Sequence, residues 1–194
     1  MAKTTADMIK EFGIHIGELA GDEVREQVIA GSEAITPKTK PDVVSLWMKG
    51  AVDRLDTLAD ETTAQKIMET CGENCAWINH KVIERARDRR LKFKTEEDFV
   101  AAELKKPGSG TRLERDGNNF FQYYMPANFS HPMRCFCALF RGLPEDQVVS
   151  KTYCQCSQAF IRTLWSEALG RPVKVEVLES VVNGGKECKF RIEI

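Results

Sequence analysis

Four of the seven cysteines form two Cys-X-Cys pairs within the short stretch MRCFCALFRGLPEDQVVSKTYCQC. The pairs are Cys135 with Cys137, and Cys154 with Cys156. Four thiolates satisfy tetrahedral zinc or an iron–sulfur cluster, because sulfur is a soft ligand. Structural zinc sites usually leave two to four residues between paired ligands, so this tighter spacing leaves other interpretations open. The four sulfurs are candidate metal ligands, reactive or redox thiols, or small buried side chains.

A second cysteine pair lies in the segment CGENC, which contains Cys71 and Cys75. On a helix these side chains lie one turn apart on one face, so they are candidates for additional metal ligation or for adjacent reactive thiols. Packing in the core is the alternative, because free cysteine is commonly buried. We also consider the hypothesis that this pair meets one Cys-X-Cys pair in space.

Only three histidines are available for proton transfer or ligation, namely His15, His80 and His131. His131 immediately precedes the RCFC segment and is the candidate acid–base group beside Cys135; a surface or capping role is the alternative. Cys154 and Cys156 are the candidate nucleophiles. No Ser-His-Asp order, glycine-rich phosphate loop or paired carboxylate motif is evident.

The segment NFFQYYMPANF is rich in aromatic residues. With a tryptophan further along the chain, it supplies four candidate ligand-binding residues: Phe121, Tyr123, Tyr124 and Trp165. Aromatic rings line many apolar pockets, and tyrosine hydroxyls provide polar anchors. The alternative is that the block builds the core. A basic run at Lys81–Lys94 either attracts an anionic partner or forms a solvated helix face.

Composition narrows the class of protein. The 194 residues are 42% hydrophobic and 29% charged, with a net charge of −1, which is typical of a globular protein and does not favour a nucleic-acid partner. No run of about 18 uncharged apolar residues occurs, so we expect no membrane span, and the N-terminus lacks a signal-peptide pattern. We therefore expect a cytoplasmic protein with reduced thiols, and the odd cysteine count argues against a disulfide framework.

Apolar spacing predicts helices over residues 3–20, 22–30, 41–59, 62–90 and 96–104. Gly72 weakens the fourth of these helices by about 1 kcal/mol relative to alanine and indicates a close backbone contact. Residues 106–119, rich in glycine and asparagine, are predicted to form a flexible loop.

The C-terminal half predicts strands. Residues 120–124 and RCFCALF are expected strands, and residues 157–169 an intervening helix capped by Ser157 and ended by Gly170. Alternation at Val173–Val177 and Cys188–Ile194 around a glycine-rich turn predicts an antiparallel hairpin with Cys188 on its buried face. The expected fold is α+β: N-terminal helices packed on a mainly antiparallel sheet, with a C-terminal β-hairpin. We expect one domain over 1–194, with a helical part at about 1–105 and a mixed part at about 118–194.

The stretch FIRTLWSEALGRPVKVEVLESVVNGGKECKFRIEI resembles the end of the 4-vinyl reductase type of small-molecule-binding domain and of the related L-2-amino-thiazoline-4-carboxylate hydrolase family. The matching features are Trp165, Gly170, the valine-rich strand, Gly184 with Gly185, and the Cys-X-Phe-X-Ile strand. The resemblance implies an α+β fold with an apolar cavity for hydrophobic small ligands. Some relatives look like hydrolases.

Three functional hypotheses follow. The leading one is a cytoplasmic protein that binds a small apolar or heterocyclic ligand, with clustered cysteines that hold zinc or an iron–sulfur cluster. The alternative is a hydrolase of a small carbon–nitrogen ring substrate, in which a thiolate or a metal-bound water attacks. The third is an oligomeric scaffold or sensor subunit, such as a homodimer.

Overall fold

A computed structural model describes residues 4–117, 119–125 and 133–194. The helices are α1 (Thr5–Ala20), α2 (Asp22–Val28), α3 (Pro41–Leu58), α4 (Glu61–Ile78), α5 (His80–Arg90), α6 (Glu96–Lys105) and α7 (Gln155–Leu169). The strands are β1 (Thr111–Asp116), β2 (Asn119–Tyr124), β3 (Lys174–Glu179) and β4 (Cys188–Glu193). Short 3₁₀ helices cover Ser32–Ala34, Lys151–Cys154 and Val181–Asn183. None of the described helices is long and apolar enough to cross a bilayer.

The four strands form one antiparallel sheet in the order β1-β2-β4-β3. In the C-terminal hairpin, Val175 lies opposite Ile192 and Val177 opposite Phe190, so one face is apolar as predicted. The chain reverses through the last 3₁₀ helix and Gly184, whose φ of 89° favours glycine. The α+β fold class and the C-terminal hairpin are confirmed.

Two expectations about strands are wrong. The predicted loop at 106–119 contains β1, an edge strand in which only Leu113 is buried, so its polar composition resembles that of a loop. The predicted strand RCFCALF is absent, since the described residues from 133 to 150 contain neither helix nor strand. Their backbone forms local turns, for example one closed by a hydrogen bond from the Phe140 N–H to the Cys137 carbonyl oxygen. The side chains of Leu139 and Phe140 are buried in the core.

The predicted helix over 62–90 is two helices that meet at Asn79. The Asn79 side chain donates to the Cys75 carbonyl at 2.8 Å, at the end of α4. The apolar pattern continues through the break because Ile67 and Ile83 are both buried. Ser157 does not cap α7, which instead continues from the Lys151–Cys154 3₁₀ helix; the predicted end at Gly170, in the left-handed conformation, is confirmed.

Helix α7 packs on α4 and α5 on one side and on β3 of the sheet on the other, whereas α6 packs on β1. Two clusters of buried apolar side chains result. The N-terminal cluster is built mainly from α1, α3, α4 and the segment from Leu139 to Cys154. The sheet cluster is built mainly from α6, α7 and the four strands.

Candidate functional site

Helices α4 and α7 touch backbone to backbone at Gly72. A Cβ atom at this position would lie 2.1 Å from the Cys156 carbonyl oxygen and 2.8 Å from its Cα, so no larger residue fits without movement. The close contact predicted at Gly72 is therefore confirmed. Its consequence is that Cys71, beside the glycine, lies near the start of α7.

All seven cysteines gather where the two clusters meet. Five pack in or against the N-terminal cluster, Cys188 is buried in the sheet cluster, and Cys75 lies within electrostatic range of Cys71 and Tyr124. We call this the thiol region; its cysteines come from α4 (Cys71, Cys75), the 133–150 segment (Cys135, Cys137), the start of α7 (Cys154, Cys156) and β4 (Cys188). Cys71 lies near Cys137 and Cys156, one cysteine from each Cys-X-Cys pair, and all three pack against the N-terminal cluster.

A small cavity lies within the thiol region, with a volume of about 10 Å³. This space suits about one water-sized group. Its lining includes three thiols and two serine hydroxyls as well as aromatic rings: Tyr124, Arg134, Cys135, Phe136, Tyr153, Cys154, Ser157, Ser180, Val182, Cys188 and Phe190.

Polar contacts fix the cavity wall. The Cys154 thiol donates to Ser180 Oγ at 3.0 Å, and the Val181 amide donates to Cys188 Sγ at 3.5 Å. The Arg134 guanidinium donates to the carbonyls of Gln147 at 2.6 Å and Val181 at 2.9 Å, and also to that of Pro144. Arg134 therefore ties the irregular 133–150 segment to the turn between β3 and β4.

Burial controls the protonation of the thiols. It raises the pKa of Cys154 to about 11 and that of Cys71 to about 12, because a thiolate loses its hydration inside the protein. Burial, reinforced by neighbouring cysteines, also raises the pKa of Cys135 and Cys156. Both residues are intermediate in exposure. At neutral pH these thiols are protonated and are poor nucleophiles.

Two tyrosines adjoin the thiols. Burial raises the pKa of Tyr124 and of Tyr153 well above its ordinary value, with nearby cysteines contributing. Among the described residues the Tyr153 hydroxyl makes no hydrogen bond of good geometry, although the Cys137 thiol is close enough to interact with it. Tyr153 therefore brings an unsatisfied hydroxyl to the edge of the thiol region.

The predicted metal ligands lie in this region, but they do not form a preformed site. Within residues 4–117, 119–125 and 133–194, no three His, Cys, Asp or Glu side chains converge to hold an ion. The four-cysteine site of Cys135, Cys137, Cys154 and Cys156, extended by Cys71 and Cys75, therefore stays a prediction. The candidate acid–base residue His131 lies outside the described residues.

The four predicted ligand-binding aromatics do not lie together. Successive side chains of β2 point to opposite faces of the sheet. Tyr124 lines the cavity, whereas Phe121 and Tyr123 lie on the other face in an open groove. There the Tyr123 hydroxyl donates to Glu114 at 2.7 Å. Trp165 packs in the sheet cluster.

Eight of the eleven residues that line the cavity were not predicted as site residues, among them Arg134, Ser180 and Cys188. The alternation of the hairpin placed Cys188 on the buried face, which was a usable signal. Arg134 and Ser180 carry no local pattern, because their partners lie 47 and 26 residues away, at Val181 and Cys154.

Comparison with known proteins identifies the family. A family model described as "Family of unknown function (DUF6144)" matches residues 6–194, and the chain belongs to this family. No curated protein matches the chain. A mutant H-NOX domain from Shewanella oneidensis, solved by NMR in the Fe(II)CO ligation state, has a similar fold. It is 9% identical, with a TM-score of 0.51 over 100% of this chain and 98% of that chain.

Proposed function

We propose that this DUF6144 protein is a small-ligand-binding domain whose site is the thiol region and its cavity. The carrying observation is that six cysteines from four segments of the chain pack in or against the two core clusters, and three of them line one cavity. Such a concentration of thiols is more than packing requires, because other apolar side chains fill cores equally well. The H-NOX-like fold supports the proposal, since that domain was solved with carbon monoxide ligated to iron.

Cavity size limits what can bind without rearrangement. Pockets for drug-sized ligands usually measure about 300–1,000 Å³, whereas this cavity measures about 10 Å³. An apolar or heterocyclic ligand therefore has to displace part of the wall, and the irregular 133–150 segment is the part without helix or strand. A bulky iron cofactor does not fit this cavity, so no iron chemistry is carried over from the H-NOX domain.

The hydrolase alternative requires a nucleophilic thiolate, whereas burial favours the protonated thiol. Cys154 and Cys156 have raised pKa values, so a thiolate is scarce at neutral pH. The resemblance to the 4-vinyl reductase type of domain favours binding over turnover. Turnover of a thiazoline carboxylate, lost in Cys154→Ala and Cys156→Ala proteins, would instead establish the hydrolase. A cytoplasmic location, which keeps thiols reduced, and a homodimer belong to the proposal as expectations.

The test is a ligand screen with a blocked site. A panel of indole, benzene and thiazoline-4-carboxylate is titrated into anaerobic protein by calorimetry. Ser157 lines the cavity, so Ser157→Leu should weaken saturable binding at least about 10-fold by filling the space. Thr163→Leu, also on α7 but outside the lining, is the matched control. Binding unaffected by Ser157→Leu would contradict this site.

A further inference from the structure

Two buried thiols and one hydroxyl lie together on the cavity wall. Cys154 donates to Ser180 Oγ at 3.0 Å, and Cys188 lines the same cavity. Ser180 is itself 2% exposed. We propose that Cys154 and Cys188 form a two-coordinate site for copper(I) in this cavity. This proposal rests on the proposed function, because it names the occupant of the same cavity.

The lining chemistry selects a soft monatomic ion. A cavity of about 10 Å³ has room for one ion or one water, but not for a cluster. Thiolates favour Cu(I) among the first-row metal ions. Zinc requires four ligands, and no three suitable side chains converge among the described residues. Copper(I) accepts two sulfurs in a linear arrangement, so a pair of thiols is sufficient.

The binding of copper(I) to the two thiols balances in atoms and charge. Binding of Cu⁺ to two thiols forms two copper–sulfur bonds, releases two protons and leaves a bis-thiolate complex with one negative charge. No oxidation or reduction occurs. The Val181 amide already donates to Cys188 Sγ, and Cys154 is hydrogen-bonded to the Ser180 hydroxyl. The Arg134 guanidinium also lines the cavity, where it donates to the Gln147 and Val181 carbonyls.

The first measurement counts the sulfur ligands in the intact chain. Anaerobic protein receives one equivalent of Cu(I), and X-ray absorption should show two sulfur neighbours. Three or four sulfurs would overturn the two-coordinate site and favour the larger cysteine set. This result does not depend on any variant folding correctly.

Variants then identify the ligands. In competition with a colorimetric Cu(I) chelator, Cys154→Ser and Cys188→Ser should each lower affinity at least about 100-fold, because each removes one of two bonds. Cys137→Ser removes a thiol that does not line the cavity, so its loss of affinity should be smaller than that of either ligand variant. Equal losses in all three proteins would mean copper held non-specifically by many thiols, and would overturn the proposal.

The pH dependence gives an independent check. Thiols are ordinarily protonated below about pH 8, and each releases its proton when its sulfur binds Cu(I). Release of two protons makes the affinity rise about 100-fold per pH unit between pH 6 and pH 8. A 10-fold rise would indicate one thiol and contradict the pair. Failure to bind copper, with organic ligands still bound at the cavity, would overturn this proposal alone.

Discussion

Substitution of Gly72 by alanine tests the contact that brings α4 to the thiol region. The new Cβ would lie 2.1 Å from the Cys156 carbonyl oxygen, whereas ordinary van der Waals contact begins at 3.4 Å. The two backbones therefore have to separate by about 1.3 Å, the difference between those distances. The Cβ is fixed directly to the α4 backbone and the carbonyl belongs to the α7 backbone, so neither can rotate away.

Helix propensity and overpacking make opposing contributions to the change in the free energy of unfolding. Alanine favours a helix interior by about 1 kcal/mol over glycine. Overpacking of a close contact costs about 1–3 kcal/mol, and occasionally more. Because the contact is so short, we expect the cost to dominate and the free energy of unfolding to fall by about 2 kcal/mol. For a chain of this size, that corresponds to a Tm lower by about 4–8 °C.

The matched control is Gly50→Ala, in the middle of α3. Its nearest neighbour would be one nitrogen of the Arg54 side chain at 3.2 Å, which can shift more easily than backbone. The control should gain up to about 1 kcal/mol from helix propensity. Urea unfolding followed by circular dichroism measures both proteins. If Gly72→Ala stabilises the chain as much as Gly50→Ala, the α4–α7 contact is wrong.

Three further outcomes concern stability. Burial raises the pKa of Cys154 to about 11, so the folded protein favours the protonated thiol. The free energy of unfolding should therefore decrease between about pH 9, where thiols of the unfolded chain ionise, and pH 11. The decrease should be smaller in the Cys154→Ser protein. Glu103→Gln should cost about 1–2 kcal/mol in urea unfolding, because Arg89 donates to this largely buried carboxylate at 2.7 and 3.1 Å. Trp165→Phe should cost about 1–3 kcal/mol, since its indole donates at 2.8 Å to the buried Gln122.

Exposed counterparts serve as controls for the last two changes. Glu193 pairs with Lys174 at 3.7 Å with both side chains largely in water, so Glu193→Gln should change stability little. Trp47 donates its indole N–H to the Ala30 carbonyl at a more exposed position, so Trp47→Phe should cost less than Trp165→Phe. If Glu193→Gln lowered the free energy of unfolding more than Glu103→Gln, the burial assigned to Glu103 would be contradicted. A larger loss in Trp47→Phe than in Trp165→Phe would contradict the burial assigned to Gln122.

The sequence predicted those helices and strands whose apolar residues repeat at helical or strand spacing. The hairpin followed from strict alternation at Val173–Val177 and Cys188–Ile194, and α1 and α3 followed from apolar residues one turn apart. β1 was missed because an edge strand that buries one side chain has almost no apolar pattern. The break at Asn79 was missed because α4 and α5 both pack on α7, which extends the pattern across it.

The site was predictable only in part, because long-range contacts build it. Cys-X-Cys spacing indicated where the thiols lie in the chain, but not that Cys188 joins them from the far end of the sheet. Phe121 was grouped with Tyr124 on aromatic character alone, whereas the sheet separates the two faces. The α4 pair reaches the other thiols only because Gly72 lets two helices touch.

NMR of protein labelled with ¹³C at the cysteine β-carbons, titrated with a ligand from the binding panel, tests directly whether the thiol region binds the ligand. We predict saturable shifts of Cys135, Cys154 and Cys188, which line the cavity. Shifts absent from these cysteines but present at Phe121 and Tyr123 would place the ligand on the opposite face of the sheet. That result would contradict the thiol region as the binding site.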